Sequence, residues 1–128
     1  MSRVNINMGN VEGLPLSDAV KTGHLIFVSG MVGFGEDGQI VPGGIAAETH
    51  QTFRNIEHVL ERAGCTLQDI VKVSVILTDR ADFEAFNDAY RKIFTTNWPA
   101  RISMVAGLTI DAKVEIDVIA LAAGGKPL

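Results

Sequence analysis

Residues 70–94 read Ile70-Val71-Lys72-Val73-Ser74-Val75-Ile76-Leu77-Thr78-Asp79-Arg80-Ala81-Asp82-Phe83-Glu84-Ala85-Phe86-Asn87-Asp88-Ala89-Tyr90-Arg91-Lys92-Ile93-Phe94, two periods back to back. The first part alternates, with Val71, Val73, Val75 and Leu77 on one face, which predicts a strand over 70–77. From about Ala81 to Phe94 the apolar residues Phe83, Phe86, Tyr90, Ile93 and Phe94 recur at helical spacing. Downstream, Pro99 closes the helical segment. The runs Ala100 to Ala106 and Ala112 to Leu121 then read as two strands joined by a short loop around Gly107 to Asp111.

Upstream, a first helix is predicted from Ile45, Thr49, Thr52, Phe53, Ile56, Leu60 and Ala63, with His50, Arg54, Glu57, His58 and Glu61 on the wet side. Gly64 stands where helices end in a left-handed residue. Before it, Arg3 to Met8, Ser17 to Lys21 and Leu25 to Gly30 read as strands, and Asp37-Gly38 is a hairpin signal. The order β-β-β(β)-α-β-α-β-β predicts an α+β fold, a mixed sheet with both helices on one face. Several strands carry apolar residues on both sides, so the second face is expected to meet a partner subunit.

The chain of 128 residues is expected to form a single domain over 1–128. A domain of this size buries roughly two-thirds of its unfolded surface, enough to fold without disulfides or a structural metal. Cys65 is the one cysteine, which fits a reducing compartment and excludes an internal disulfide. The N-terminus lacks the apolar core of a secretory signal. No run approaches the roughly 18 apolar residues of a membrane span. Net charge is −4 and pI about 5.2, with no Lys/Arg cluster, so neither nucleic acid nor membrane is an expected partner.

Gly33-Phe34-Gly35-Glu36-Asp37-Gly38 matches the spacing of a dinucleotide fingerprint. That motif must open a helix whose amides meet a pyrophosphate. Here Glu36 and Asp37 repel an anion and Gln39 to Pro42 start no helix, so the segment reads as a glycine-rich hairpin. His24, His50 and His58 have neither an i, i+4 partner nor a nearby cysteine, and they read as surface residues rather than metal ligands. Cys65 follows a helix C-terminus, whose dipole disfavours a thiolate.

The chemistry concentrates in Trp98 to Met104 and in the last strand. In a strand, Arg101, Ser103 and Val105 share one face; in the other, Lys113, Glu115 and Asp117 do. If the two strands pair as an antiparallel hairpin centred on Leu108, Arg101 lies opposite Glu115. Such a pair is either a structural ion pair or part of a site, and its setting between apolar runs favours a site. Asn87 falls within the second helix's apolar stripe; a buried amide there either ties down backbone or faces a pocket.

Pro99-Ala100-Arg101-Ile102-Ser103 followed by Val114-Glu115-Ile116-Asp117-Val118-Ile119-Ala120 is the most specific pattern in the chain. Pro15, Ser17 and Ala19-Val20, Leu25 to Gly30, Asn55-Ile56 with Ala63-Gly64, and Phe86-Asn87 with Tyr90 support it. In this order the chain resembles the Rid family, YjgF-like enamine/imine deaminases, over essentially its whole length. The resemblance implies a chorismate-mutase-like fold of the bacillary type, assembled as a homotrimer with clefts between subunits. It implies hydrolysis of reactive enamines and imines, such as 2-aminoacrylate, to a keto acid and ammonia, without a cofactor. The single cysteine, the missing signal and the histidine spacing add the expectation of a cytoplasmic protein without a metal.

By the same resemblance Arg101 grips the carboxylate of a small substrate and Glu115 helps place the attacking water. Ser103 contributes backbone contacts, and Asn87, Leu16, Ser29 and Gly30 belong to the binding site. Leu16 and Met31 depart from the tyrosine and glutamine that many members carry, which bears on the choice of substrate. Two other readings compete: a ligand-binding or regulatory member without turnover, and a ribonuclease or translation inhibitor. The acidic balance argues against the latter.

Overall fold

The computed structural model describes residues 2–9 and 11–122. In chain order it forms β1 (Arg3–Ile6), β2 (Ala19–Thr22), β3 (Leu25–Met31), α1 (Ile45–Arg62), β4 (Ile70–Leu77), α2 (Phe83–Ile93), β5 (Ala100–Val105) and β6 (Val114–Leu121). The strands make one mixed sheet in the order β1-β2-β3-β6-β4-β5. All neighbours are antiparallel except β4 and β5, which run parallel with α2 as their crossover.

The expected hairpin between the last two strands does not form, because β4 lies between them. Burial accounts for this. In β6, Val114, Ile116, Val118 and Ala120 are at most 1% exposed, so this strand belongs in the middle of the sheet. No residue of β5 is buried, and a strand with Arg101 and Ser103 on one face and Pro99 at its entry suits an edge.

β4 also differs from its simple alternation. A register shift between Ile70 and Lys72 puts Ile70 in the core and leaves Val71 exposed, after which Val73, Val75 and Leu77 resume the buried face.

α1 buries Ile45, Thr49, Thr52, Phe53, Ile56 and Leu60, the stripe its spacing predicts. It ends at Gly64 (φ 77°), where Cys65 N–H donates to Leu60 O (2.9 Å) and Gly64 N–H to Glu61 O (3.0 Å). The Gly33–Gly38 segment is a tight turn: Gly35 N–H donates to Gln39 O at 2.8 Å and Phe34 bridges Ile40. Among the described residues no helix begins before Ile45.

The buried faces of β3, β4 and β6 meet α1 and α2 in one cluster. Phe53 of α1 meets Tyr90 and Phe94 edge-on, with centroids 5.8 and 5.2 Å away. Both helices therefore cover the same face. On the other face Leu25, Phe27, Ile102 and Met104 are 38–48% exposed.

Phe53 joins both helices while itself only 1% exposed. Phe53→Ala should lower unfolding free energy by about 3–5 kcal/mol, read as a shift of the urea midpoint. A loss below about 1 kcal/mol would mean that the helices do not depend on this contact.

Candidate active site

Arg101 sits on the edge strand with Val73 as its register partner, and Ser103 pairs with Val75. Val73 and Val75 point into the core, so Arg101 and Ser103 project toward the helices. There the Arg101 guanidinium lies 4.8, 5.4 and 5.8 Å from the ring centroids of Tyr90, Phe86 and Phe83. Its Nη2 donates to Asn87 Oδ1 at 2.8 Å.

Helical spacing makes this cradle: residues 83, 86, 87 and 90 fall on one side of α2. Asn87 thus holds a side chain rather than backbone. Phe83, expected in the apolar stripe of the core, is 41% exposed, because α2 begins there and its ring reaches the guanidinium instead.

No carboxylate lies within ion-pair distance of Arg101 among the described residues; the salt bridge found is Arg91–Asp88 on the surface. The fork therefore keeps most of its donors. Beside it a depression of about 580 Å³ is lined by Arg80, Phe83, Glu84, Ser103, Met104 and Val105.

Glu115 pairs in register with Ile76, on the helix-free face. Two strand spacings, roughly 10 Å, separate β6 from β5, and the two side chains leave opposite faces of the sheet. The Arg101–Glu115 pair expected from a hairpin is thus absent from a single chain. Glu115 instead lies over Gly30, where an added Cβ would collide with its carboxylate.

Gly30 and Ser29 occupy the bulge of β3 between Val28 and Met31, two residues facing one on β6. Ser29 is fixed by its Oγ donating to Ser17 O (2.6 Å) and its N–H donating to Asp18 O (2.9 Å). Asp18, fully buried, accepts the Met8 N–H at 2.6 Å and so ties down the loop that carries Leu16. Leu16 is 47% exposed and lines a shallow depression with Asn7, Gly9, Val11 and Glu12. Met31 packs partly against the core.

The seven candidate residues therefore form two half-sites. Asn87, Arg101 and Ser103 lie at the β5 edge under α2; Leu16, Ser29, Gly30 and Glu115 lie along β2, β3 and β6. β2 and β5 are four strand spacings, roughly 19 Å, apart. Glu48, unremarked in the sequence, is also buried near the second half-site, its Oε1 accepting the Lys113 N–H at 2.8 Å. Its signal was position: it falls three residues after Ile45 and four before Thr52, on the apolar stripe. His24, His50 and His58 are exposed and Cys65 is buried. Among the described residues no group of three or more His, Cys, Asp or Glu could hold a metal ion.

A six-stranded mixed sheet with two helices on one face, and on its edge strand a guanidinium in an aromatic cradle without a carboxylate partner among the described residues, defines the class as an α+β protein with a cationic sheet edge. The sequence model of the Endoribonuclease L-PSP family matches residues 12–122. The chain belongs to that family, the YjgF/Rid family its motifs resemble. It is 41% identical over 109 residues to the 2-iminobutanoate/2-iminopropanoate deaminase of Capra hircus, covering 84% of this chain and 80% of the goat protein. It is 41% identical over 125 residues to the mitochondrial protein mmf2 of Schizosaccharomyces pombe, covering 94% and 98%. Its fold superposes on a protein of unknown function of the conserved Rid family, YyfA from Yersinia pestis, with a TM-score of 0.87 and 32% identity, covering 94% and 100% of the two chains.

Burial pushes the Tyr90 phenol above its ordinary value of 10.0, and the neighbouring Arg101 charge partly opposes the shift. A raised tyrosine pKa favours the neutral form in the fold. Its contribution to stability is full below the unfolded pKa and is lost as pH rises through the folded one. Tyr90 is the single tyrosine, so tyrosinate absorbance reports it alone. Its midpoint should lie above 10.0 in the native protein and move higher still in Arg101→Ala. A native midpoint at or below the ordinary value would contradict the burial described here.

Proposed function

We propose that this chain is a hydrolase that deaminates carboxylate-bearing enamines and imines, of the 2-aminoacrylate type, to keto acids and ammonia. We place its sites between the subunits of a homotrimer. The observation that carries this reading is Arg101, a guanidinium fixed by Asn87 and three rings yet without a carboxylate partner in the described chain. A planar fork held this way presents two parallel N–H donors, the geometry that binds a carboxylate at both oxygens.

A carboxylate held there brings the adjacent C=N carbon to a defined place. Protonation of an enamine at carbon gives the imine, and a protonated imine is electrophilic without further help. Water adds to that carbon as Glu115 takes its proton. The carbinolamine then loses the C–N bond as the proton returns to nitrogen, leaving ammonia and the keto acid. Ser103, beside Arg101, and Gly30 with Ser29, beside Glu115, line the path. General-base assistance of this kind contributes about 10²–10⁴-fold.

One chain does not bring the two halves together, since Arg101 and Glu115 leave opposite faces of the sheet. A second copy must supply the missing half. The exposed Leu25, Phe27, Ile102 and Met104 on the helix-free face support such assembly, and the family resemblance supports a count of three. The net charge of −4 supports a small anionic substrate over RNA, despite the family's ribonuclease label. No described helix is long and apolar enough to cross a membrane. The lone buried thiol of Cys65 supports a reducing compartment such as the cytoplasm.

Arg101→Ala should lose about 30- to several-thousand-fold in kcat/KM, the loss expected for one partner of a desolvated charge pair. Arg101→Lys should recover little, because it keeps the charge and loses the fork. Removal of the ring contacts should lower stability by only about 0.5–2 kcal/mol. The assay is ammonia release from an imine generated in situ; near-normal release by folded Arg101→Ala would refute the anchor. Light scattering at micromolar concentration should give three times the chain mass. A stable, active monomer would exclude a shared site.

A further inference from the structure

The reaction proposed above leaves the buried carboxylate of Glu48 unused. Glu48 stands near the start of α1 and is 4% exposed. Its Oε1 accepts the main-chain N–H of Lys113 at 2.8 Å, across 65 residues of sequence. The Lys113 carbonyl in turn accepts the Thr78 N–H at 3.1 Å. Lys113 is therefore pinned from both sides at the point where β6 begins.

The same turn of α1 lies against the chain leaving β3. A Cβ at Gly33 would come within 3.0 Å of Glu48 O and 3.1 Å of its Cα, so the two backbones pack without room for a side chain. Gly33 follows Gly30 by three residues, and Lys113 precedes Glu115 by two. Glu48 thus touches both segments whose strands carry the Gly30–Glu115 contact.

Burial at this position does not by itself call for a charge. A carboxylate there must be hydrogen-bonded to be tolerated, and its bond goes to one particular amide. We infer that Glu48 is a positioning residue: within the register that the core dictates, it fixes the start of β6 against the exit of β3 and so sets where the Glu115 carboxylate stands over Gly30. This rests on the catalytic role proposed for Glu115. Substrate affinity, which comes from Arg101 at the far edge of the sheet, is outside its reach.

The test is a set of four variants in the assembled protein, assayed by ammonia release: Glu48→Ala, Glu48→Gln, Glu115→Gln and the Glu48→Ala/Glu115→Gln double variant. Glu48→Ala should lower kcat by roughly 10²-fold, the scale of a misplacement near 1 Å, with KM unchanged. Glu48→Gln keeps a carbonyl acceptor for Lys113 and should recover most of the rate. The double variant should be no slower than Glu115→Gln alone, because Glu48 acts only through that carboxylate. Amide exchange at Lys113 should quicken in Glu48→Ala and not in Glu48→Gln.

If Glu48→Ala does not assemble, Glu48→Asp takes its place, since it retains the charge but withdraws the acceptor by one methylene. Wild-type kcat in Glu48→Ala, a matching rise in KM, or losses that multiply in the double variant would each overturn the inference while leaving the deaminase reading intact. A wild-type protein that releases no ammonia from any carboxylate-bearing imine would overturn both.

Discussion

β6 is the strand on which the arrangement depends. Val114, Ile116, Val118 and Ala120 are the most buried run in the sheet, and they hold β6 between β3 and β4 with one face against the helices. A strand has only two faces, so the same alternation commits Glu115 and Asp117 to the other side. The face on which the carboxylate stands is therefore a consequence of core packing. A one-residue slip of β6 would bury Glu115 and Asp117 and expose four core residues. At roughly 1.5–3 kcal/mol for each large apolar side chain returned to water, before the buried charges are counted, that alternative is closed.

The guanidinium is held by a different set of forces that leads back to the same core. Arg101 lies over Tyr90; Tyr90 meets Phe53 of α1 and Phe94, and Phe53 is among the most buried side chains. The cation is thus seated on the outer layer of an aromatic stack that also joins the two helices. Ring quadrupoles favour the charge without neutralising it, and Asn87 offers one acceptor without a charge of its own. Both features hold the fork still without pairing its positive charge with a carboxylate of the described residues.

The elements were legible in the sequence because their periods are long and clean. α1 has its stripe and its glycine terminus, and β4 and β6 have their alternation. Pairing was not legible. The short Gly107-containing loop reads as a hairpin turn, and local sequence has no means of weighing β6's demand for a central place against β5's proximity. The same limit explains Val71 and Phe83, whose exposure depends on a bulge and on where a helix begins.

Site residues followed suit. Arg101, Glu115 and Asn87 drew notice as polar residues among apolar ones, and Ser103 as Arg101's neighbour on one face. The division into two half-sites appears only once β4 is seen to separate them. Glu48 escaped notice because a charge within a stripe that also holds Thr49 and Thr52 passes for part of its polar margin.

That division bears on why such a chain would assemble at all. The distance between Arg101 and Glu115 within one chain is spanned by β4, a strand whose inward residues Val73, Val75 and Leu77 are no more than 1% exposed. No loop or lid motion closes a gap made of core, since moving β4 would dismantle the sheet. For the proposed site, the route that remains is a second copy bringing its own β6 face to the first copy's β5 edge. Leu25 and Phe27 on β3, and Ile102 and Met104 on β5, expose apolar surface at both ends of that path. Burying it would supply a driving force for association independent of substrate. In the proposed reaction assembly is a condition of chemistry, because the cation and the carboxylate assigned to it would come from different copies.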